Sequence, residues 1–181
     1  MQVFNSTSDL FKSHLAQLKE IGDVNRVLRE LAIDGAAAVA KRVQNDGQKA
    51  DGSQIGEYST STLAFGKITG KFGSIATKKQ LNKRMKAFGD TSEFYGGYKE
   101  FRQSLGRQVE FIDLTLTGAM FEDWIPSPLD DNSWGVGFKS EESAKIAGYH
   151  EKRFGTIFAL SKEEEEQAME TLNRVINQIL K

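Results

Sequence analysis

The chain has 181 residues, 39% of them apolar and 27% charged, with a formal net charge of −1. That leaves room for one domain with a genuine core, or a domain plus an extended arm, and excludes a global field drawing the chain to nucleic acid or membrane, so a charged partner must be met by a local patch. With no cysteine and only His14 and His150, far apart, disulfides and thiolate metal sites are excluded and imidazole chemistry has little to work with.

The opening "MQVFNSTSDLFKSHL" lacks a basic region followed by an apolar run, so no signal peptide is expected. No stretch of the chain approaches the roughly 18 apolar residues of a membrane span. From Ser8 to about Glu20, Leu10, Phe11, Leu15 and Leu18 fall at helical spacing, with His14 at the boundary of that helix. Asp23 then caps a longer helix whose stripe of Val24, Val27, Leu28, Leu31, Val39 and Val43 runs to Gly47. Gly35 beside Ala36, Ala37 and Ala38 lets another element approach this helix closely, at some cost in helix stability.

Residues 45–89 are rich in Gly, Ser, Thr and Lys. They predict a flexible or partner-ordered excursion, a loop or an open hairpin. Between Tyr58 and Gly89 there is no acidic residue, while Lys67, Lys71, Lys78, Lys79, Lys83, Arg84 and Lys86 fall in the same window. "SEFYGGYKEFRQSLGRQ" reads as a short aromatic helix or turn region ending at Gly106. After it, Val109, Phe111 and Asp113 share one face of a predicted strand, and Ile112, Leu114 and Leu116 the other. Apolar on both faces, that strand is expected inside the sheet.

Thr117 is placed to cap a short helix carrying Met120, Phe121 and Trp124, with Glu122 and Asp123 outward. Pro126 and Pro128 make "PSPLDDN" a turn. "SWGVGF" is a strand with Trp134, Val136 and Phe138 on one face, expected to pair with 109–116. A helix follows from Ser140 to Gly155, with His150 near its C-terminus. After the brief apolar link "TIFAL", Ser161 and Glu164 form a capping box, and Glu163, Glu164, Glu165 and Glu166 suit the positive end of the helix dipole. Ala168, Met169, Leu172, Val175, Ile176, Ile179 and Leu180 form the stripe of this terminal helix, each large member contributing roughly 1.5–3 kcal/mol if fully buried. The fold class is therefore α+β: N-terminal helices and a C-terminal amphipathic helix packed on a small, mostly antiparallel sheet, in one domain over 1–181.

No catalytic constellation stands out. "HEKRF" lacks the second histidine of a zincin, because position 154 is Phe; Gly66, Gly70 and Gly73 lack dinucleotide-binding spacing; and no G-x-S-x-G elbow occurs. No cofactor or metal is expected. Of the carboxylates Asp113, Glu122, Asp123, Asp130 and Asp131, Asp113 is the best candidate for hydrolytic chemistry, and its structural alternative is a hydrogen-bonded corner residue. The basic stretch is open to three readings. It is a solvated loop, a contact for an acidic protein face such as Glu163–Glu166 of a neighbouring copy, or a binder of nucleic-acid phosphates, with Phe65, Phe72 and Phe88 interleaved for stacking or for anchoring a hairpin.

The pieces from about 95 to 181 follow one another in a familiar order. "D-L-x-x-T-G-x-M" is matched by Asp113, Leu114, Thr117, Gly118 and Met120. Then come the strand "WGVGF", a helix with alanines followed by Gly, and Phe158, Leu160 and Ser161 leading into the acidic-started helix. This order resembles the tail-completion and virion-morphogenesis proteins of tailed bacteriophages. "GTIFALS" departs from the proline-containing segment those families often carry there. The resemblance implies a non-enzymatic virion protein at the head–tail junction, assembled in the host bacterial cytoplasm. It further implies a homo-oligomeric ring, hexameric or dodecameric, contacting other neck, portal-side and tail proteins, with non-specific DNA in the channel and no membrane.

Overall fold

The computed structural model describes residues 24–64, 93–130 and 133–179. The expected helix over Ser8–Glu20 with His14, the Asp23 cap, Asp131, Leu180 and all seven basic residues from Lys67 to Lys86 lie outside the described residues. The fold is α+β. In chain order the elements are α1 (Val24–Lys41), β1 (Leu63–Ala64), β2 (Glu93–Phe94), α2 (Gly97–Ser104), α3 (Ala119–Glu122), β3 (Trp124–Asp130), β4 (Ser133–Phe138), α4 (Glu141–Phe154) and α5 (Lys162–Ile179).

Helix α1 buries Val24, Val27, Leu28, Gly35, Ala36 and Val39, the apolar stripe its spacing predicts. Gly35 and Ala36 serve close approach: the Trp124 indole N–H donates to the Ala36 carbonyl at 3.1 Å, and a side chain at Gly35 would meet Leu160. The helix runs on through a π-turn, Arg42–Asp46, in which Arg42 and Val43 are both buried. Gly47, at φ 63°, ends it. A Cβ there would lie 2.8 Å from Phe111 Cγ and closer still to its Cδ2.

The main sheet is not the predicted one. β3 pairs antiparallel with β4, Trp124 opposite Phe138 and Pro126 opposite Val136, so the expected "PSPLDDN" turn is most of a strand and Trp124 opens it rather than ending a helix. Lys139 N–H donates to the Asp123 carbonyl at 2.8 Å. That places the odd-numbered residues of β3 in the hydrogen-bonded positions and leaves Pro126 and Pro128 where no N–H is required. Both strands of a two-stranded ribbon have a free edge, which is why proline is tolerated.

The predicted strand 109–116 is irregular chain, because side chains take up its backbone groups. Gln108 receives the Glu110 N–H at 3.0 Å and donates to the Phe111 carbonyl at 2.7 Å. Asp113 receives the Thr115 N–H at 2.8 Å, and Leu114 sits at φ 52°. Ile112 N–H donates instead to the Gly56 carbonyl at 3.2 Å.

Two apolar clusters hold the molecule. The larger joins Ala36, Val39 and Val43 of α1 to Ile55, Tyr58, Ile112, Met120, Trp124, Val136, Ala147, Ile157 and Phe158. The supposed link "TIFAL" lies at its centre, with the Phe158 ring 5.0 Å from Phe138 and 5.6 Å from Trp124. The smaller cluster packs Leu172 and Val175 of α5 on Val24, Val27 and Leu28 of α1, with Trp134 and Met169 at its margin.

Residues 45–62, expected to belong to the excursion, are tied to this body: Ile55 and Tyr58 are buried, and Ile55 N–H donates to the Gly47 carbonyl at 2.8 Å. Two apolar residues in a polar run thus join it to the main core.

Candidate functional site

The corner motif forms around a buried guanidinium. Helix α2 points Arg102, 1% exposed, at Asp113, and its Nη2 donates to Oδ1 at 3.0 Å and Oδ2 at 2.8 Å. Its remaining donors reach the Thr115 carbonyl at 2.8 Å and the Gln108 carbonyl at 3.1 Å. The Tyr58 hydroxyl donates to Asp113 Oδ1 at 2.7 Å, and the Arg102 guanidinium lies 4.3 Å from the Tyr58 ring centre. Burial, with the Asp113 carboxylate adding to it, pushes the Tyr58 phenol well above its ordinary range. Burial raises Tyr98 as well, and Tyr58 remains a neutral donor at physiological pH.

Both carboxylate oxygens of Asp113 are thus engaged, Oδ1 by Arg102, Tyr58 and the Thr115 N–H and Oδ2 by Arg102, which is the hydrogen-bonded corner role. Gly118, at φ 93°, precedes α3 as its N-cap in place of Thr117, whose hydroxyl receives the Ala119 N–H at 3.4 Å. Met120 is buried below them.

Asp123, expected to point outward, instead takes hydrogen bonds from the hydroxyls of Ser140 and Ser143, the latter at 2.6 Å, at the start of α4. The Ser140 bond chiefly, then Ser143, holds its carboxyl below the usual range. The stability this adds is complete above the ordinary aspartate range and fades as pH falls through the lowered value. His150 stacks on Phe154 at 6.2 Å. Burial first, then Arg153, lowers its pKa, so the charged form suited to a helix C-terminus is disfavoured.

The same arginine corner anchors the stem of the basic segment. β1 and β2 pair antiparallel, Leu63 opposite Phe94 and Ala64 opposite Glu93, so the two described ends bordering residues 65–92 lie side by side. Phe94 packs edge-on to Phe101 at 5.5 Å, and Tyr98 lies 5.6 Å from Tyr58 and 5.8 Å from Phe101. Gly97, at φ 69°, sits against the 59–61 backbone; a Cβ would come within 2.6 Å of the Ser59 carbonyl oxygen and closer still to that of Ser61. Gly97→Ala is therefore expected to cost at least about 1–2 kcal/mol from the left-handed backbone alone, more with the clash, read as a lower urea midpoint at unchanged slope.

A second buried guanidinium organises the far side. Arg42 Nε donates to Glu164 Oε1 at 2.9 Å, and its terminal nitrogens reach the carbonyls of Gln48 at 3.0 Å, Ile157 at 3.2 Å and Ala159 at 2.7 Å. Glu164 also closes the predicted capping box, receiving Ser161 N–H at 2.7 Å while Ser161 Oγ receives Glu164 N–H at 3.2 Å. The acidic quartet is therefore divided. Glu164 is internal and cannot belong to an inter-subunit face, whereas Glu163, Glu165 and Glu166 are exposed. An open polar groove of about 350 Å³ runs beside this pair, between Lys41, Asp46 and Gln48 on one side and Glu163 and Gln167 on the other.

The structure thus brings Asp113, Leu114, Thr117, Gly118 and Met120 into one corner and parts Glu164 from its neighbours. Lys67, Lys71, Lys78, Lys79, Lys83, Arg84 and Lys86 lie outside the described residues. Sequence reading missed Arg42, Arg102 and Tyr58. A signal existed for Arg42, three residues after Val39 and next to Val43 on the buried stripe of α1. Among the described residues no group of acids and histidines is placed to hold a metal ion, and no helix is long and apolar enough to cross a membrane. No protein-family model, curated protein or solved structure matches the chain.

Proposed function

We propose that this chain is a non-enzymatic structural protein of a tailed-bacteriophage virion, acting at the head–tail junction as a neck, tail-completion or tail-terminator component. In this reading it assembles in the host cytoplasm into a ring that joins the portal side to the tail. The observation that carries the reading is the ordered run of motifs over residues 95–181. The corner geometry supports it: the motif's Asp113, Gly118 and Met120 supply the Arg102 counter-charge, a left-handed backbone position and a buried anchor in one place.

Light scattering on the eluting protein tests it. A ring mass is expected, either for the chain alone or after mixing with portal-side and tail-tube proteins. A chain that stays monomeric at every concentration, with or without those partners, overturns the reading.

A second reading, nucleic-acid binding through the basic segment, is favoured by the acid-free window from Tyr58 to Gly89. Replacing Lys67, Lys71, Lys78 and Lys79 together by alanine is expected to flatten the slope of log K against log salt for duplex DNA by roughly 3–4, at about 0.9 per phosphate contact. Absence of binding at low salt removes this reading and leaves the first standing.

A further inference from the structure

Two exposed helix faces carry features that no contact among the described residues explains. On α4, Gly148 lies mid-helix and exposed, with nothing within 4 Å of where its Cβ would be; glycine weakens a helix there, and no contact among the described residues calls for it. Beside it Tyr149 is 71% exposed, flanked one turn either way by exposed Lys145 and Lys152. Among the described residues Lys145 pairs with exposed Glu141, at 2.7 Å, a contact of little worth in water.

On α5, Glu163, Glu166 and Glu170 form an exposed ridge at i, i+3 and i+7, with no ion-pair partner among the described residues. Glu163 suits the helix dipole. Glu166 and Glu170, one turn apart, repel each other, and Lys162 and Arg174, one turn beyond them on the same helix, form no ion pair with either. The faces have different supports, α4 packing on α3 and β4, and α5 on α1.

We propose that a second copy of this chain docks head to tail between these faces. Lys145, Tyr149 and Lys152 of one copy meet Glu163, Glu166 and Glu170 of the next, and Gly148 admits the incoming helix closely. Two different, complementary patches on one subunit make a heterologous contact, which propagates and closes into a ring when its rotation allows. The inference rests on the ring reading above for its closure alone.

Because the chain has no cysteine, full-length Tyr149→Cys and Glu166→Cys proteins can be mixed and oxidised with copper-phenanthroline. The expected result is a mixed disulfide dimer severalfold more abundant than either homodimer, lost in high salt. The charge reversal Lys145→Glu with Lys152→Glu should abolish both the cross-link and any higher mass in light scattering. Adding Glu163→Lys and Glu170→Lys to the charge-reversed proteins, with position 166 left free for the cysteine probe, should restore them, with circular dichroism unchanged throughout.

Homodimers as abundant as the mixed species, or yields indifferent to reversal, overturn the contact. A ring mass that survives reversal also overturns the contact, while the ring reading stands. A charge-dependent mixed cross-link in a protein that otherwise stays monomeric, with or without its partners, upholds the contact and removes the ring.

Discussion

Asp113→Ala is expected to lower the unfolding free energy by about 3–5 kcal/mol. The reason is what it leaves behind rather than what it removes: an Arg102 guanidinium, 1% exposed, with no counter-charge. The Tyr58 hydroxyl and the Thr115 N–H lose their acceptor in the same step. Urea denaturation at neutral pH measures the loss as a shifted midpoint. The double replacement Arg102→Met with Asp113→Leu is expected to recover part of it, since apolar residues of similar volume often substitute for a buried pair. Recovery stays incomplete because the carbonyls of Gln108 and Thr115 lose their donor, at about 1–3 kcal/mol for each group left buried and unpaired. A loss below about 1 kcal/mol for Asp113→Ala would mean that water reaches the corner and that the pair behaves as a surface one.

Arg42→Met is expected to be as damaging, again about 3–5 kcal/mol, and to act on a different part of the molecule. Arg42 joins the π-turn, the 47–55 loop through Gln48, the link through Ile157 and Ala159, and α5 through Glu164. Removing it strands a buried carboxylate at the first turn of α5. Amide hydrogen exchange should then accelerate first in residues 157–165, while the corner at Asp113 keeps its protection. Glu164→Gln is the milder change, at about 1–3 kcal/mol, because an amide oxygen still accepts one bond and the carbonyl partners of Arg42 remain. Protection lost equally across both clusters would show that α5 and the main core unfold as one unit.

The helices were legible because their signals are local. The stripe from Val24 to Val43, the Gly47 stop and the Ser161–Glu164 capping box depend on residues within a turn or two of one another, and all stand as read. The stretch after Gly106 was misread for a physical reason. Ile112 and Leu114 look like an interior strand, but Gln108 and Asp113 satisfy the backbone more cheaply from within. The prolines misled in the opposite direction, since alternate positions of a two-stranded ribbon ask for no N–H.

Of the candidate site, the motif residues around Asp113 were legible and their partners were not. Tyr58 precedes Asp113 by 55 positions, and Arg42 precedes Glu164 by 122. Nothing in the local sequence of an arginine states which distant carboxylate it will neutralise.

The sequence by itself determined the α+β class, the extent of the long helices and the segregation of positive charge into one acid-free window, because periodicity, capping and composition act over short range. Only the tertiary structure decided that Glu164 is internal and Asp113 engaged on both oxygens. It alone made the link "TIFAL" the centre of the core. A buried charge is tolerated only where long-range packing delivers its partner, and that delivery is a property of the folded chain.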